Sequence, residues 1–220
     1  KVCGKFIQGG RMQGLFFEGQ KGLIFSLADN VSDKPTDDPQ SENSFFGKIL
    51  FKSLSDNRVV IFSKGHRNPQ GLLVINNKIL STEHGPRGGD EINLIKYKKN
   101  YGWPLSSYGK KYNVDESYNL SHADFNFEEP IYAFVPSIGI SEIIKIPENK
   151  FANWSNNYLV SSLYGGSIYR IKFSKNFNKI IFMEEIFIGK RIRDLKFVDD
   201  KIILALENYG EIGFLEVNDR

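Results

Sequence analysis

Cysteine is nearly absent: Cys3 is the single one among 220 residues. One thiol excludes an internal disulfide and any metal site built from several cysteines. Histidine is scarce too. Only His66, His84 and His122 occur, and no two stand at a metal-binding spacing. No run approaches the roughly 18 consecutive apolar residues that a membrane helix needs, so no membrane span is expected. No segment keeps a helical hydrophobic period over three turns. No clear repeat appears at the period of about 40 residues that marks well-defined propeller blades. Neither sign of charge dominates: 29 Lys and Arg face 26 Asp and Glu, for a net charge of +3. The basic residues are scattered, which argues against a nucleic-acid partner. The chain opens on Lys1, with no initiator Met and no signal-peptide pattern. The expectation is that it begins inside a longer protein.

What the sequence has in quantity is short runs of Val, Ile, Phe and Tyr, as strands favour. Gly22–Leu27, Arg58–Phe62 and Gly71–Ile75 come first. A denser series follows: Tyr158–Leu163, Ser167–Phe173, Lys179–Phe187, Arg193–Val198, Lys201–Leu206 and Glu211–Val217. Turn-formers separate them, with Gly165-Gly166 and Asp199-Asp200 placed where tight hairpins need them. This predicts an all-β antiparallel meander, and a sandwich, a barrel or a propeller would each satisfy it. Two polar stretches read as loops. Residues 29–43 hold Pro35 and Pro39 and read as a surface excursion. Residues 83–124 are long and rich in Gly, Tyr and Asn. Long loops in compact domains are usually functional or disordered, and Trp103 with its neighbouring tyrosines argues for order.

The densest constellation is Glu83-His-Gly-Pro-Arg-Gly-Gly-Asp-Glu-Ile-Asn93. Glycines at 85, 88 and 89 let the backbone aim several carbonyls at one point, and Asp90 and Glu91 add carboxylates. Carbonyls plus carboxylates are what a hard cation such as Ca²⁺ requires. A solvated Gly-rich turn with two surface acids would look the same on these grounds. Likewise, Arg191 and Arg193 on their own read as alternating solvent-facing residues of a strand.

The same run, followed by Asn100-Tyr-Gly-Trp-Pro104, resembles the hallmark of the soluble PQQ-dependent aldose dehydrogenases, the glucose/sorbosone dehydrogenase family. Gly65-His-Arg-Asn-Pro-Gln-Gly71, Pro136-Ser-Ile-Gly-Ile-Ser141, Phe151-Ala-Asn-Trp154 with Tyr158–Leu163, and Gly189-Lys-Arg-Ile-Arg-Asp194 match further family motifs in order. Gly9-Gly10-Arg11 and Gly47-Lys48 are weaker matches. The resemblance spans nearly all of residues 1–220. It implies a six-bladed β-propeller of four-stranded antiparallel blades, of which this chain would form about four, the N-terminal part missing and the ring incomplete. It implies PQQ, a planar quinone with three carboxylates, contacted by Arg67, Asn68, Tyr112, Ser162, Leu163, Tyr164, Arg191 and Arg193. It implies Ca²⁺ held by the carbonyls of Gly85 and Pro86, and a second ion on Glu91 and the Tyr101 carbonyl, with Asp90 nearby. The implied reaction is oxidation of an aldose sugar at C1 to the lactone by hydride transfer to PQQ, with electrons passed to an external acceptor. The implied setting is periplasmic or secreted, with a homodimer allowed.

Two positions depart from the family. The general base, a His in the family, falls by counting on Ile7, which cannot accept a proton. Tyr164 stands where many members carry Lys and offers a hydrogen bond without charge. These departures keep open a degenerate propeller that binds Ca²⁺ or a ligand without catalysis. A Ca²⁺-dependent lactonase propeller, a third class, would leave the Arg-Ile-Arg and Asn-Tyr-Gly-Trp-Pro motifs unexplained.

Overall fold

The computed structural model describes residues 9–29, 36–112, 114–118, 121–148, 151–207 and 210–216. Two compact units divide the chain, Lys1–Ser137 and Ile138–Arg220. Strands make up both. The described helices are single 3-10 turns at Ala123–Phe125 and Ala152–Trp154. Among the described residues, no helix is long and apolar enough to cross a membrane.

In the first unit, β1 (Met12–Phe17), β2 (Gln20–Leu27), β3 (Lys48–Ser53) and β4 (Val59–Lys64) form an antiparallel meander. The strands β5 (Pro69–Ile75), β6 (Lys78–Glu83), β7 (Asp90–Ile95) and, after the two-residue β8 (Lys99–Asn100), β9 (Tyr132–Phe134) follow. A second sheet has the order β5-β6-β7-β9, while β8 lies parallel to β4 at the edge of the first. Alternation along the strands sends Ile24, Ile49, Phe51 and Phe62 from one sheet against Leu72, Ile79 and Ile95 from the other. Phe17 packs edge-to-face on Phe51, Phe62 and Tyr97, with centroids 5.2, 5.2 and 4.8 Å apart, the geometry that ring quadrupoles favour.

Both loop expectations need correction in this unit. Residues 83–124 are not one loop, because β7 and β8 run through them. Residues 29–43 are not simply a surface excursion. Asp29 is fully buried, and its carboxylate accepts the Trp103 indole N–H. Residues 30–35 lie outside the described set, and 37–40 form turns. Lys48, also fully buried, ties this segment down by donating to the carbonyls of Asp38, Pro39 and Phe46 at 2.6, 3.1 and 3.0 Å.

In the second unit, β10 (Ile140–Lys145), β11 (Tyr158–Ser162), β12 (Ser167–Phe173) and β13 (Ile180–Phe187) form one antiparallel meander. A second holds β14 (Ile192–Val198), β15 (Lys201–Leu206) and β16 (Glu211–Leu215). Their shared core includes Leu159, Ile168, Ile192, Leu195, Ile202 and Leu204. The turn expected at Asp199-Asp200 is present as a two-residue connection with both φ positive, 45° and 64°. That is the twist-matched hairpin type. The Gly165-Gly166 turn is longer. It spans residues 163–166 and is closed by the Ser162 hydroxyl, which donates to the Ser167 carbonyl at 2.9 Å and accepts its N–H at 3.0 Å. The chain is thus all-β, made of meander sheets of the propeller-blade kind. Two of the four sheets have four antiparallel strands, one has four plus β8, and the last has three among the described residues.

Candidate functional site

Arg67 is the centre of the first unit's polar network. It stands between β4 and β5 and is 8% exposed. Its guanidinium donates to the His84 carbonyl at 3.0 Å and to the Tyr112 hydroxyl at 3.2 Å. It lies over the Trp103 ring, 5.4 Å from the centroid, and 5.9 Å from that of Tyr112. The main chain is held as firmly: its N–H donates to the Glu83 carboxylate, and its carbonyl accepts the Asp29 N–H at 2.8 Å. The other Glu83 oxygen meets His66 Nδ1 at 3.0 Å, and His66 Nε2 meets the Ser63 hydroxyl at 2.8 Å. His66 is fully buried and stacks on Tyr101. Next to Arg67, Asn68 receives a bond from the Gln70 amide at 2.8 Å, and its carbonyl accepts the His84 N–H.

The glycine loop between β6 and β7 faces this network. The Tyr112 hydroxyl donates to the Pro86 carbonyl at 3.2 Å. Asp90, buried at the start of β7, accepts from the Gly85 N–H at 3.0 Å and the Ser137 hydroxyl at 2.8 Å. The loop is glycine by necessity. Gly89 has φ +70°, and a Cβ there would lie 2.5 Å from the Gly109 nitrogen. Beneath it is a cavity of about 10 Å³ whose lining includes Glu83, Gly85, Pro86, Glu91, Tyr101 and Trp103. That is room for one water-sized species.

Glu91 carries the electrostatics of this cavity. Burial, with repulsion from Glu83, Asp90 and Glu129, pushes its carboxyl up to about 8 despite a bond from the Asn93 amide. The Asn93 side-chain carbonyl is itself buried without a partner. A crowded carboxyl beside a one-atom cavity lined by Gly85, Pro86 and Tyr101 is the donor chemistry that suits a small hard cation. Among the described residues, no three His, Cys, Asp or Glu side chains converge as a metal set, so a cation here would depend on carbonyls as well. The Tyr101 carbonyl already faces the His122 ring.

In the second unit, Arg191 and Arg193 flank Ile192 at the start of β14, and both ion-pair with Glu207, at 2.8 and 2.5 Å. Ser162 is fully buried with its hydroxyl engaged in the hairpin turn described above, Leu163 is buried, and Tyr164 is 83% exposed. Among the named residues, therefore, Arg67, Asn68, Gly85, Pro86, Asp90, Glu91, Tyr101 and Tyr112 gather in one unit. Ser162, Leu163, Tyr164, Arg191 and Arg193 belong to the other. Ile7 lies outside the described residues. Sequence reasoning missed Asp29, His66 with Glu83 as supports of Arg67, and Glu207. Asp29 left one signal, an acid directly after an apolar strand.

The family model for glucose/sorbosone dehydrogenase matches residues 4–214. An aldose sugar dehydrogenase of Escherichia coli, YliI, is 30% identical over 96% of this chain and 60% of its own length. Quinoprotein glucose dehydrogenase B of Acinetobacter calcoaceticus is 32% identical over 62% of this chain and 30% of its own. The crystal structure of the apo-form of the soluble aldose sugar dehydrogenase of E. coli superposes with a TM-score of 0.75 at 25% identity, covering 91% of this chain and 61% of that one. The chain therefore spans 60% or less of the curated relatives it matches. On the family match across almost every residue, with these relatives beside it, the chain belongs to the glucose/sorbosone dehydrogenase family.

Proposed function

We propose that this chain carries the cofactor- and Ca²⁺-binding part of a quinoprotein sugar dehydrogenase that oxidises an aldose at C1 to the lactone. The observation that carries the reading is Arg67, a buried guanidinium aligned by the His84 carbonyl and the Tyr112 hydroxyl and stacked over Trp103. An arginine fixed in this way is pre-organised for a carboxylate or quinone oxygen. When bound, PQQ supplies the two-electron acceptor and Ca²⁺ the Lewis acidity. On this reading the residues that contact PQQ are Arg67, Asn68, Tyr112, Ser162, Leu163, Tyr164, Arg191 and Arg193. The carbonyls of Gly85 and Pro86 serve one Ca²⁺. Glu91 and the Tyr101 carbonyl, which would share it with His122, serve another, while Asp90 holds the loop through Gly85. The reading includes six four-stranded blades in the whole propeller, an external electron acceptor, a location in the periplasm or outside the cell, and a homodimer as the oligomer to test.

The test is reconstitution with PQQ and Ca²⁺, followed by dye reduction with a panel of aldoses. PQQ should bind at micromolar concentration or below, and at least one aldose should reduce the dye. Failure to bind PQQ overturns the reading. A second reading is favoured by Ile7, which stands at the family's base position: a propeller that binds PQQ or Ca²⁺ without efficient turnover. On that reading Ile7→His raises the rate about 10²–10⁴-fold, the usual worth of a general base. On the enzyme reading the wild type is already active and gains little.

A further inference from the structure

Glu207 has no role in the account so far, yet it touches both arginines of β14. Its Oε2 accepts from Arg191 Nε at 2.8 Å and its Oε1 from an Arg193 N–H at 2.5 Å. Its own backbone N–H donates to the Arg191 carbonyl at 2.9 Å, so the contact is fixed through main chain and side chain together. Burial works against the carboxylate, but the bonds from Arg193 and Arg191 outweigh it and hold the group below the usual range.

The local backbone brings this arrangement about. Pairing of β14 with β15 skips a step between Ile192 and Asp194, which leaves Arg193 at a bulge. Bulges re-aim side chains. The Ile192 carbonyl at this point is taken by the buried Ser141 hydroxyl at 2.6 Å. Two guanidinium groups this close repel each other, and one carboxylate bridging them cancels that repulsion and fixes both planes. The Arg191 bond uses Nε, so its two terminal nitrogens can serve a second anion. The three groups together keep a net charge of +1.

We propose that Glu207 is a positioning residue that aligns Arg191 and Arg193 to receive one carboxylate of a planar polycarboxylate cofactor. This rests on the PQQ reading above. It also opposes simple charge counting, under which removing an acid beside two arginines should strengthen anion binding.

The experiment titrates PQQ into the full chain with Ca²⁺ and reads the dissociation constant from cofactor absorbance. The proteins are wild type, Glu207→Gln, Glu207→Asp, Arg191→Lys and the Glu207→Gln/Arg191→Lys double variant, each with its thermal midpoint. Glu207→Gln should weaken PQQ binding about tenfold, the scale of one charge-assisted bond, with its midpoint within a few degrees of wild type because the site is exposed. Glu207→Asp should restore affinity to within about threefold, and Glu207→Gln should cost less in the Arg191→Lys background, as coupled residues do. Glu207→Gln binding as tightly as wild type, or more tightly, overturns the proposal. So does a loss of affinity that Glu207→Asp shares in full and that tracks a fall in midpoint. If wild type binds no PQQ, the functional reading fails and this proposal goes with it. If wild type binds and Glu207→Gln is unaffected, this proposal fails alone.

Discussion

Lys48 shows what a single buried charge does in this molecule. It has no solvent exposure, and its ammonium serves three carbonyls of residues 38–46. Replacing it by Met removes all three bonds: the Asp38 and Pro39 carbonyls keep the N–H donors of Ser41 and Gly65, and the Phe46 carbonyl loses the ammonium's bond. Lys48→Met should therefore cost about 1–3 kcal/mol in denaturant unfolding. Burial also pushes the Lys48 ammonium down, to about 8, while an unfolded lysine titrates near 10.4. Between those values the unfolded chain binds more protons than the folded one, so stability rises with pH. The wild type should gain on Lys48→Met between pH 8 and 10, and a constant gap across that window would count against the assignment. Sequence gave no hint of this burial, since lysine is almost never fully buried without partners. The glycines, carboxylates and arginines of the candidate site were singled out by their motifs' likeness to the family's; by residue type alone they read as a solvated turn and a solvent-facing strand. Asp29 and Glu207 were not singled out, because each acts through a residue distant in the chain: Asp29 through Trp103, and Glu207 through Arg191 and Arg193.

At the scale of elements, the legible strands were those dense in Ile, Leu, Val, Tyr and Phe, such as β11, β12 and β15. Several of the strands missed, β3, β6, β7 and β10, carry polar residues inward. In β7, Asp90 and Asn93 are buried, so the run reads as a loop although it pairs fully with β6. Its polarity comes from the site it builds, which is where local pattern and fold are expected to disagree. In β2 the interruption is Gly22, where a Cβ would overlap the Phe51 ring and lie 2.5 Å from the Lys52 carbonyl. Phe51 is wholly buried and anchors the aromatic cluster around Phe17. Gly22→Ala should cost about 1–3 kcal/mol, the range for overpacking a core, read as a lower unfolding midpoint with fold retained by circular dichroism. The hairpin at Asp199-Asp200 should respond in the opposite sense. Asp200 sits at φ 64°, where glycine carries no Cβ penalty. Asp200→Gly should leave stability unchanged or raise it by up to about 1 kcal/mol.

The whole chain is nearly balanced in charge, yet Glu83 and Glu91 line one small cavity of the first unit, and Asp90 and Glu129 add to the repulsion on Glu91. Mutual repulsion there opposes folding, and a bound cation would relieve it. A ligand that binds only the folded state adds stability with the logarithm of its concentration, about 2.7 kcal/mol at a hundredfold excess over the dissociation constant. Millimolar Ca²⁺ should therefore raise the thermal midpoint, and a chelator should reverse it. Glu91→Gln removes the carboxylate that a cation would recruit, so it should blunt the response to Ca²⁺ while preserving stability in its absence. The two units give this prediction a spatial form. Hydrogen exchange with and without Ca²⁺ should show added protection in residues 83–104, the loop, β7 and the Tyr101 turn, and little change in β10–β13. Protection spread evenly over both units would mean that Ca²⁺ acts through general screening. Protection confined to the segment that Glu91 and the Gly85–Pro86 carbonyls belong to would mean that the cavity holds the ion.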